Sequence, residues 1–242
     1  SPTRRCAGLR RGALAGGYMG AGVVHGVLNT DNINVTGESF DYGPWRFAPT
    51  FDPGFTAAYF DHAGLYAFGR QPDAILWNVA QLAVSLRIIS EAPPLIARLE
   101  KFESYFKMFY GHPLRRRLGI RMPPGATDPD HGWALKEAIE VALMATGVSI
   151  DRFFFDAYGG ALPDSYGAEW DAVRAALAEY DPVPEARAHP YFQANEPCSM
   201  LIAEVEAIWA AIDRDDDWEP FHTKVAAIRS MAAALDAGGH DW

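Results

Sequence analysis

Cysteine is scarce in this sequence, and so are long apolar runs. The two cysteines among 242 residues, Cys6 and Cys198, are too few for a disulfide framework or a zinc-ligand cluster. A chain with so little cysteine is typical of a reducing, cytoplasmic environment. The apolar runs fall well short of the ~18 to 20 residues that a membrane helix needs, so we expect no membrane partner.

Basic charge is also in short supply. Acidic residues outnumber Lys and Arg by 31 to 21, and the formal net charge is -10. A nucleic-acid partner is therefore not expected, because phosphate backbones bind clustered Lys and Arg. ATP is still allowed, since Mg²⁺ and a few local cations usually neutralise its phosphates. Apolar residues make up 49% of the chain, which is enough for a sizeable core.

Glycine, proline and apolar periodicity divide the chain into three predicted regions. Residues 1–20 are rich in Arg, Gly and Ala with little periodicity, which predicts an irregular segment. Residues 21–147 begin with a short β hairpin, in which Ile33–Val35 alternates in polarity before a turn at Gly37, and continue with helices. Residues 148–242 predict a helical C-terminal extension. The predicted fold class is mainly α with one small β hairpin.

Apolar residues recur at helical spacing in the part of the chain that follows the hairpin. It runs over 76–88 and over 95–109, with Pro93 and Pro94 between the two predicted helices. Asp130 is positioned to cap the next helix. Further helices are predicted at 133–146, 169–180, 201–212 and 221–235.

Two carboxylates and an amide lie at the two ends of the predicted hairpin. They belong to the stretch His25-Gly-Val-Leu-Asn-Thr-Asp-Asn32 and to the triplet Asp41-Tyr-Gly43. Because a hairpin brings its ends together, Asn32 and Asp41 should lie side by side, with Asp31 next to them. Such oxygens suit Mg²⁺, and Asp31 could accept a proton from an attacking hydroxyl. Each residue alone could simply cap a turn, but their combination favours a metal site.

The same arrangement serves phosphoryl transfer in protein kinases. There a catalytic loop supplies a base Asp and a metal-binding Asn, and a later Asp-Phe-Gly motif supplies the second metal ligand. The interval from His25 to Asn32 matches the kinase spacing, and Asp41-Tyr-Gly43 takes the place of the triplet. The kinase base would fall at Val27, which has no carboxyl group. The nearby carboxylate is that of Asp31, so the sequence predicts a substrate or nucleotide that is shifted relative to its position in kinases.

These two motifs resemble the selenoprotein O family of kinase-like protein adenylyltransferases. The resemblance continues through Phe51-Asp-Pro53, through Asp61-His-x-Gly-x-Tyr-x-Phe68 and through Gln71-Pro72 to Trp77-Asn78. Several long motifs in the right order make it specific. It implies transfer of AMP from ATP to Ser, Thr or Tyr hydroxyls of proteins, with the nucleotide flipped relative to kinases.

The resemblance also implies roles for individual residues. Asp31 is expected to accept the proton. Asn32 and Asp41 are expected to bind Mg²⁺ or Mn²⁺, with Asp41 also near the ATP. His25 is expected to position the loop and not to act as a base. The resemblance further implies a kinase-like C-lobe over residues 21–147.

In the family, the Gly-rich loop and the ATP-contacting Lys and Arg residues precede the catalytic loop. Only residues 1–24 precede His25 here, so we expect this chain to lack the N-lobe and to be impaired in activity. The alternative is a catalytically inactive, pseudokinase-like module with a binding or structural role. A metal-dependent hydrolase that also uses His62 is a third hypothesis.

Three further motifs each allow two interpretations. Asp61 and His62 favour a hydrogen-bonded loop clamp over a metal pair, because no second His lies at ligand spacing. Arg115-Arg-Arg117 favours a solvated helix end over a phosphate site. Phe153-Phe-Phe155 favours core over an exposed partner surface.

Overall fold

The computed structural model of this protein describes residues 2–125, 129–183 and 187–238, and side chains from residue 9 onward outside 126–131. The described residues are mainly helical with two small antiparallel sheets, which confirms the mainly α prediction. Within them, no helix has both the length and the apolar character needed to cross a bilayer. The kinase-like C-lobe and the missing N-lobe stay predictions. The strand pairs are β1 (Val23–Val24) with β2 (Arg46–Phe47) and β3 (Ile120–Arg121) with β4 (Asp181–Pro182).

The chain forms two compact units. Unit 1 comprises Ser1–Ala48, Asp52–Pro113 and Asp128–Trp133, and unit 2 comprises Pro49–Phe51, Leu114–Thr127 and Ala134–Trp242. The domain boundaries predicted from the sequence stay predictions. The α-helices are α1 (Pro2–Ala21), α2 (Gln71–Ser85), α3 (Ala92–Leu99), α4 (Phe102–Leu118), α5 (Pro129–Thr146), α6 (Ile150–Asp156), α7 (Asp171–Leu177), α8 (Ile202–Asp215) and α9 (Glu219–Ala237).

The prediction of an irregular segment over residues 1–20 is wrong, because α1 occupies it. The glycines that lower its helix propensity let it approach α4 closely. A Cβ added at Gly16 would lie 2.6 Å from the Tyr110 nitrogen, and Gly12 and Gly20 face α4 at similar distances. Packing between two helices therefore decides a structure that local propensity does not favour.

The second predicted helix is two helices in the structure. α3 ends at Leu99 and α4 begins at Phe102, so the pattern over 95–109 is interrupted. Pro93 and Pro94 lie in the first turn of α3 and not ahead of it, where the fixed φ of proline suits a helix start. Helices α5, α7, α8 and α9 lie within a few residues of their predicted positions, whereas α6 was not predicted. The side chain of Asp130, the predicted cap of α5, lies outside the described residues.

The core of unit 1 joins α1, α2 and α4 to the segment that carries the candidate site. Leu28 and Ile33, from the two sides of that segment, are buried in it. Burial of one such side chain contributes about 1.5–3 kcal/mol, so the segment is anchored by apolar packing. The buried members of this cluster are Ala15, Leu28, Ile33, Ile75, Val79 and Phe102.

Unit 2 has a core of aromatic rings. Phe153, Phe154 and Phe155 are all buried, as the sequence predicts, and Phe153 stacks on Trp170 with ring centroids 4.9 Å apart. This confirms the core interpretation of the Phe run.

The basic end of α4 lies in unit 2 and makes ion pairs. The prediction of a solvated helix end is wrong for Arg117, whose ion pair is part-buried, whereas the ion pair of Arg116 is exposed. Arg117 pairs with Asp151 at 2.8 Å and lies 3.9 Å above the ring of Phe154. Arg116 pairs with Asp236 at 2.5 Å. Both guanidinium groups therefore tie α4 to later parts of unit 2.

Candidate active site

The candidate site is built on the segment from His25 to Asn32, here called the His25 loop. It follows β1 directly and ends in a 3-10 turn, Thr30–Asn32. In that turn the Asn32 nitrogen donates to the Asn29 carbonyl at 3.2 Å. The turn carries the predicted proton acceptor, Asp31, whose side chain is exposed.

Residues 33–40 fold back as a tight hairpin, as the sequence predicts. Ile33 and Ser39 form an antiparallel bridge, and the Phe40 nitrogen donates to the Asn32 carbonyl at 3.1 Å. Gly37 turns the chain with φ of 98°, a value that suits glycine. The bond from Phe40 to Asn32 brings Asp41, the next residue, to the end of the His25 loop.

The side chain of Asn32 has a fixed orientation. It is buried, and its Nδ2 donates to the Val27 carbonyl at 3.0 Å. Since a carbonyl can only accept, the amide nitrogen faces Val27 and Oδ1 points away from it. Oδ1 has no hydrogen-bond partner among the described residues. It is therefore available as an oxygen ligand.

Asp41 has a left-handed backbone with φ of 59° and an exposed side chain. Among the described residues, Asp41 and Asp216 are the non-glycine residues with positive φ. Asp tolerates this conformation better than most residues, at a cost of about 1 kcal/mol or more. Strained backbone of this kind often marks functional positions.

His25 is fully buried, and both of its ring nitrogens have partners within the site. Nε2 donates to the Phe40 carbonyl at 2.9 Å, and Nδ1 accepts from the Val27 nitrogen at 3.3 Å. Burial lowers the pKa of His25, against the opposing effect of nearby Asp41. The imidazole is thus neutral and engaged, which suits positioning and not proton abstraction.

A chain of hydroxyl groups surrounds this imidazole, and sequence reasoning missed it. The hydroxyl of Tyr18 in α1 contacts that of Ser39, whose Oγ lies 2.9 Å from the Tyr42 hydroxyl. Burial raises the pKa of Tyr18. The Tyr42 ring centroid lies 5.0 Å from that of His25. The signal for Tyr18 was the spacing of Arg11, Leu14, Ala15, Tyr18 and Met19, which is that of one helix face.

Asp61 acts as a loop clamp, which confirms the preferred interpretation. Its Oδ1 accepts from the Leu65 nitrogen and its Oδ2 from the Tyr66 nitrogen, both at 2.8 Å. With both oxygens engaged by backbone, Asp61 has little left for a metal. No group of three or more His, Cys, Asp or Glu side chains is arranged around a common metal position in the described part of the chain.

Comparison with known proteins gives a consistent result. The family model described as protein adenylyltransferase SelO matches residues 9–159. The protein nucleotidyltransferase YdiU of Synechocystis sp. is 36% identical over 236 residues, covering 90% of this chain and 50% of the relative. That of Gloeobacter violaceus is 35% identical over 247 residues, covering 93% of this chain and 49% of the relative.

The chain spans about half the length of the curated relatives it matches. A shorter match, to the YdiU protein of Shewanella frigidimarina, is 42% identical over 106 residues. The family match contains the His25 loop, the hairpin, Asp41 and α2, and it covers more than half of the chain. The chain therefore belongs to the SelO family of protein adenylyltransferases, as the resemblance of its motifs predicts.

Proposed function

We propose that this chain carries the proton-accepting and metal-binding residues of a protein adenylyltransferase that transfers AMP from ATP to Ser, Thr or Tyr hydroxyls. The observation that carries the proposal is the hydrogen bond from the Phe40 nitrogen to the Asn32 carbonyl. It holds Asn32 and Asp41 at the base of one hairpin, with Asp31 beside them. Membership of the SelO family supports the same reaction.

Asn32 and Asp41 fit a small hard cation such as Mg²⁺, or Mn²⁺ in its place. The Asn32 Oδ1 is turned away from its own loop, and the Asp41 carboxylate is exposed. One amide oxygen and one carboxylate are the kind of protein ligands that Mg²⁺ uses when nucleotide phosphates and water complete its shell. A cation bound there would offset phosphate charge during the transfer.

Asp31 is the proposed proton acceptor. Its carboxylate is exposed and adjacent to Asn32, so an incoming protein hydroxyl can reach it. As the hydroxyl oxygen bonds to the α-phosphorus of ATP, its proton passes to Asp31 and pyrophosphate leaves. Neutral His25 is not suited to this step, because its two nitrogens already bind Phe40 and Val27.

The test is transfer of labelled AMP from ATP to protein with Mg²⁺ or Mn²⁺, using this chain as it stands. Asp41→Ala should abolish labelling, whereas Asp73→Asn, at an exposed carboxylate in the first turn of α2, should not. No labelling by the folded wild-type chain would contradict the proposal for this chain. We further propose that the reaction takes place in the cytoplasm, consistent with the low cysteine content.

A further inference from the structure

Two buried amide side chains on α2 contact the segment 23–28, which comprises β1 and the first half of the His25 loop. Gln71 lies at the start of α2 and is fully buried, and Asn78 is 5% exposed. Seven residues separate them, which is close to two helical turns, so they lie on the same face of the helix. This face of α2 is where the helix meets the loop.

Gln71 uses both ends of its amide. Its Oε1 accepts from the His25 nitrogen at 3.0 Å, and its Nε2 donates to the Val23 carbonyl at 2.8 Å. One side chain thus satisfies a donor and an acceptor on either side of Val24. Glutamate has the same shape but would present an acceptor to the Val23 carbonyl. The chemistry of the position therefore requires an amide.

Asn78 holds the other end of the segment. Its Nδ2 donates to the Leu28 carbonyl at 2.7 Å and to the Ala74 carbonyl, in its own helix, at 2.9 Å. Its Oδ1 is buried without a hydrogen-bond partner among the described residues. A buried, unpaired acceptor lowers stability, so the fold alone does not favour asparagine here. What asparagine supplies is the donor to Leu28.

We propose that Gln71 and Asn78 are positioning residues that fix the His25 loop on α2 and thereby set the place of Asp31 and Asn32. This inference rests on the proposed function for its catalytic consequence. α2 is a suitable support, because Ile75 lies between the two amides on the same helix and is fully buried in the core of unit 1. A shift of the loop on this support would move the proton acceptor and the metal ligand together.

The first experiment is a pH profile of AMP transfer by Gln71→Glu, divided at each pH by the wild-type rate. The introduced carboxyl lies at a buried position, next to the Val23 carbonyl. It can donate to that carbonyl only when it is protonated, because an ionised carboxylate has no donor. We expect transfer to fall roughly ten- to a hundred-fold at pH near 8 and to recover as the pH is lowered towards 6. A ratio that does not change with pH would overturn the proposal.

The matched control is Gln81→Glu, the same substitution on the same helix. The Gln81 side chain is partly exposed and makes no hydrogen bond among the described residues. Its rate ratio should stay close to one at every pH. If Gln81→Glu reproduced the profile of Gln71→Glu, the effect would be one of charge on α2 and the positioning role would be wrong.

A second measurement separates failure of this inference from failure of the proposed function. Hydrogen exchange of the His25 backbone amide needs no activity, and it reports on the contact to Gln71. In Gln71→Met we expect this exchange to accelerate about tenfold or more, while the amide of Tyr110 in α4 keeps its wild-type rate. Unchanged exchange at His25, or an equal rise at Tyr110, would overturn the positioning role even if AMP transfer were measured. Selective acceleration with no AMP transfer by wild type would support the positioning and contradict the proposed function.

Discussion

The imidazole of His25 donates its Nε2 proton to the carbonyl of Phe40, 2.9 Å away. The backbone N–H of Phe40 also donates to the Asn32 carbonyl, and the residue after Phe40 is Asp41. One buried ring thus joins the start of the His25 loop to the start of the Asp41 triplet. This bond fixes the Nε2–H tautomer and leaves Nδ1 to accept from Val27.

A neutral, buried His25 predicts loss of stability in acid. Burial lowers its pKa in the folded protein, while the unfolded chain titrates at the ordinary value of about 6.5. As pH falls below about 6.5, only the unfolded state gains the proton, so the free energy of unfolding should drop by up to ~1.4 kcal/mol per pH unit. Urea unfolding between pH 7.5 and 5 measures this slope. His25→Gln should remove this part of it, and an unchanged slope in that variant would contradict the assignment.

Substitutions of Asp31 and of Asp41 should affect AMP transfer in different ways. Asp31→Asn removes the proposed proton acceptor, so the maximal rate of AMP transfer should fall about 10²- to 10⁴-fold with the Mn²⁺ dependence unchanged. Asp41→Asn removes the charge of a proposed metal ligand, so the Mn²⁺ concentration for half-maximal transfer should rise. Initial rates over a Mn²⁺ series distinguish the two. A shifted Mn²⁺ dependence in Asp31→Asn would show that the roles are wrongly divided.

The hydroxyl of Tyr42 should contribute to the stability of the folded protein. In Tyr42→Phe the ring beside His25 remains, but the bonds to the Ser39 hydroxyl and carbonyl, at 2.9 and 3.0 Å, are lost. We expect a loss of about 0.5–1.5 kcal/mol in the free energy of unfolding. Tyr59→Phe is the matched control, since Tyr59 is 90% exposed. Equal effects of the two substitutions would mean that the hydroxyl chain contributes nothing measurable.

Two adjacent glycines of α1 should respond in opposite directions to alanine. A Cβ at Gly16 would lie 2.6 Å from the Tyr110 nitrogen, whereas a Cβ at Gly17 would meet nothing within 4 Å. Gly16→Ala should therefore destabilise the protein by about 1–3 kcal/mol. Gly17→Ala should stabilise it by about 0.5–1 kcal/mol, because alanine is the better helix former. Thermal and urea unfolding of the pair would test the placement of α1 against α4, and a shared sign would refute it.

Short-range patterns were enough for part of the site. The hairpin between Asn32 and Asp41 follows from alternation and a glycine turn, both of which act over a few residues. The Phe153–Phe155 run was predicted as core, because three consecutive apolar rings are more often buried than exposed, and all three are buried. The family was recognisable because its motifs are contiguous stretches of sequence.

Long-range packing decided what local patterns could not. α1 was missed because glycine weakens a helix in isolation. Packing against α4 compensates for this weakness, and that contact joins Gly16 to Tyr110, which is far away in the sequence. The break between α3 and α4 was likewise hidden inside one continuous apolar pattern.

The sequence by itself determined the proposed site residues, Asp31, Asn32 and Asp41, since residues of suitable type and spacing lie within one short segment. Only the tertiary structure decided what holds that segment in place. The His25 nitrogen meets Gln71 across 46 residues of chain, and Leu28 meets Asn78 across 50. Such contacts leave no periodic trace in a sequence, because a hydrogen bond requires only that two groups meet in space.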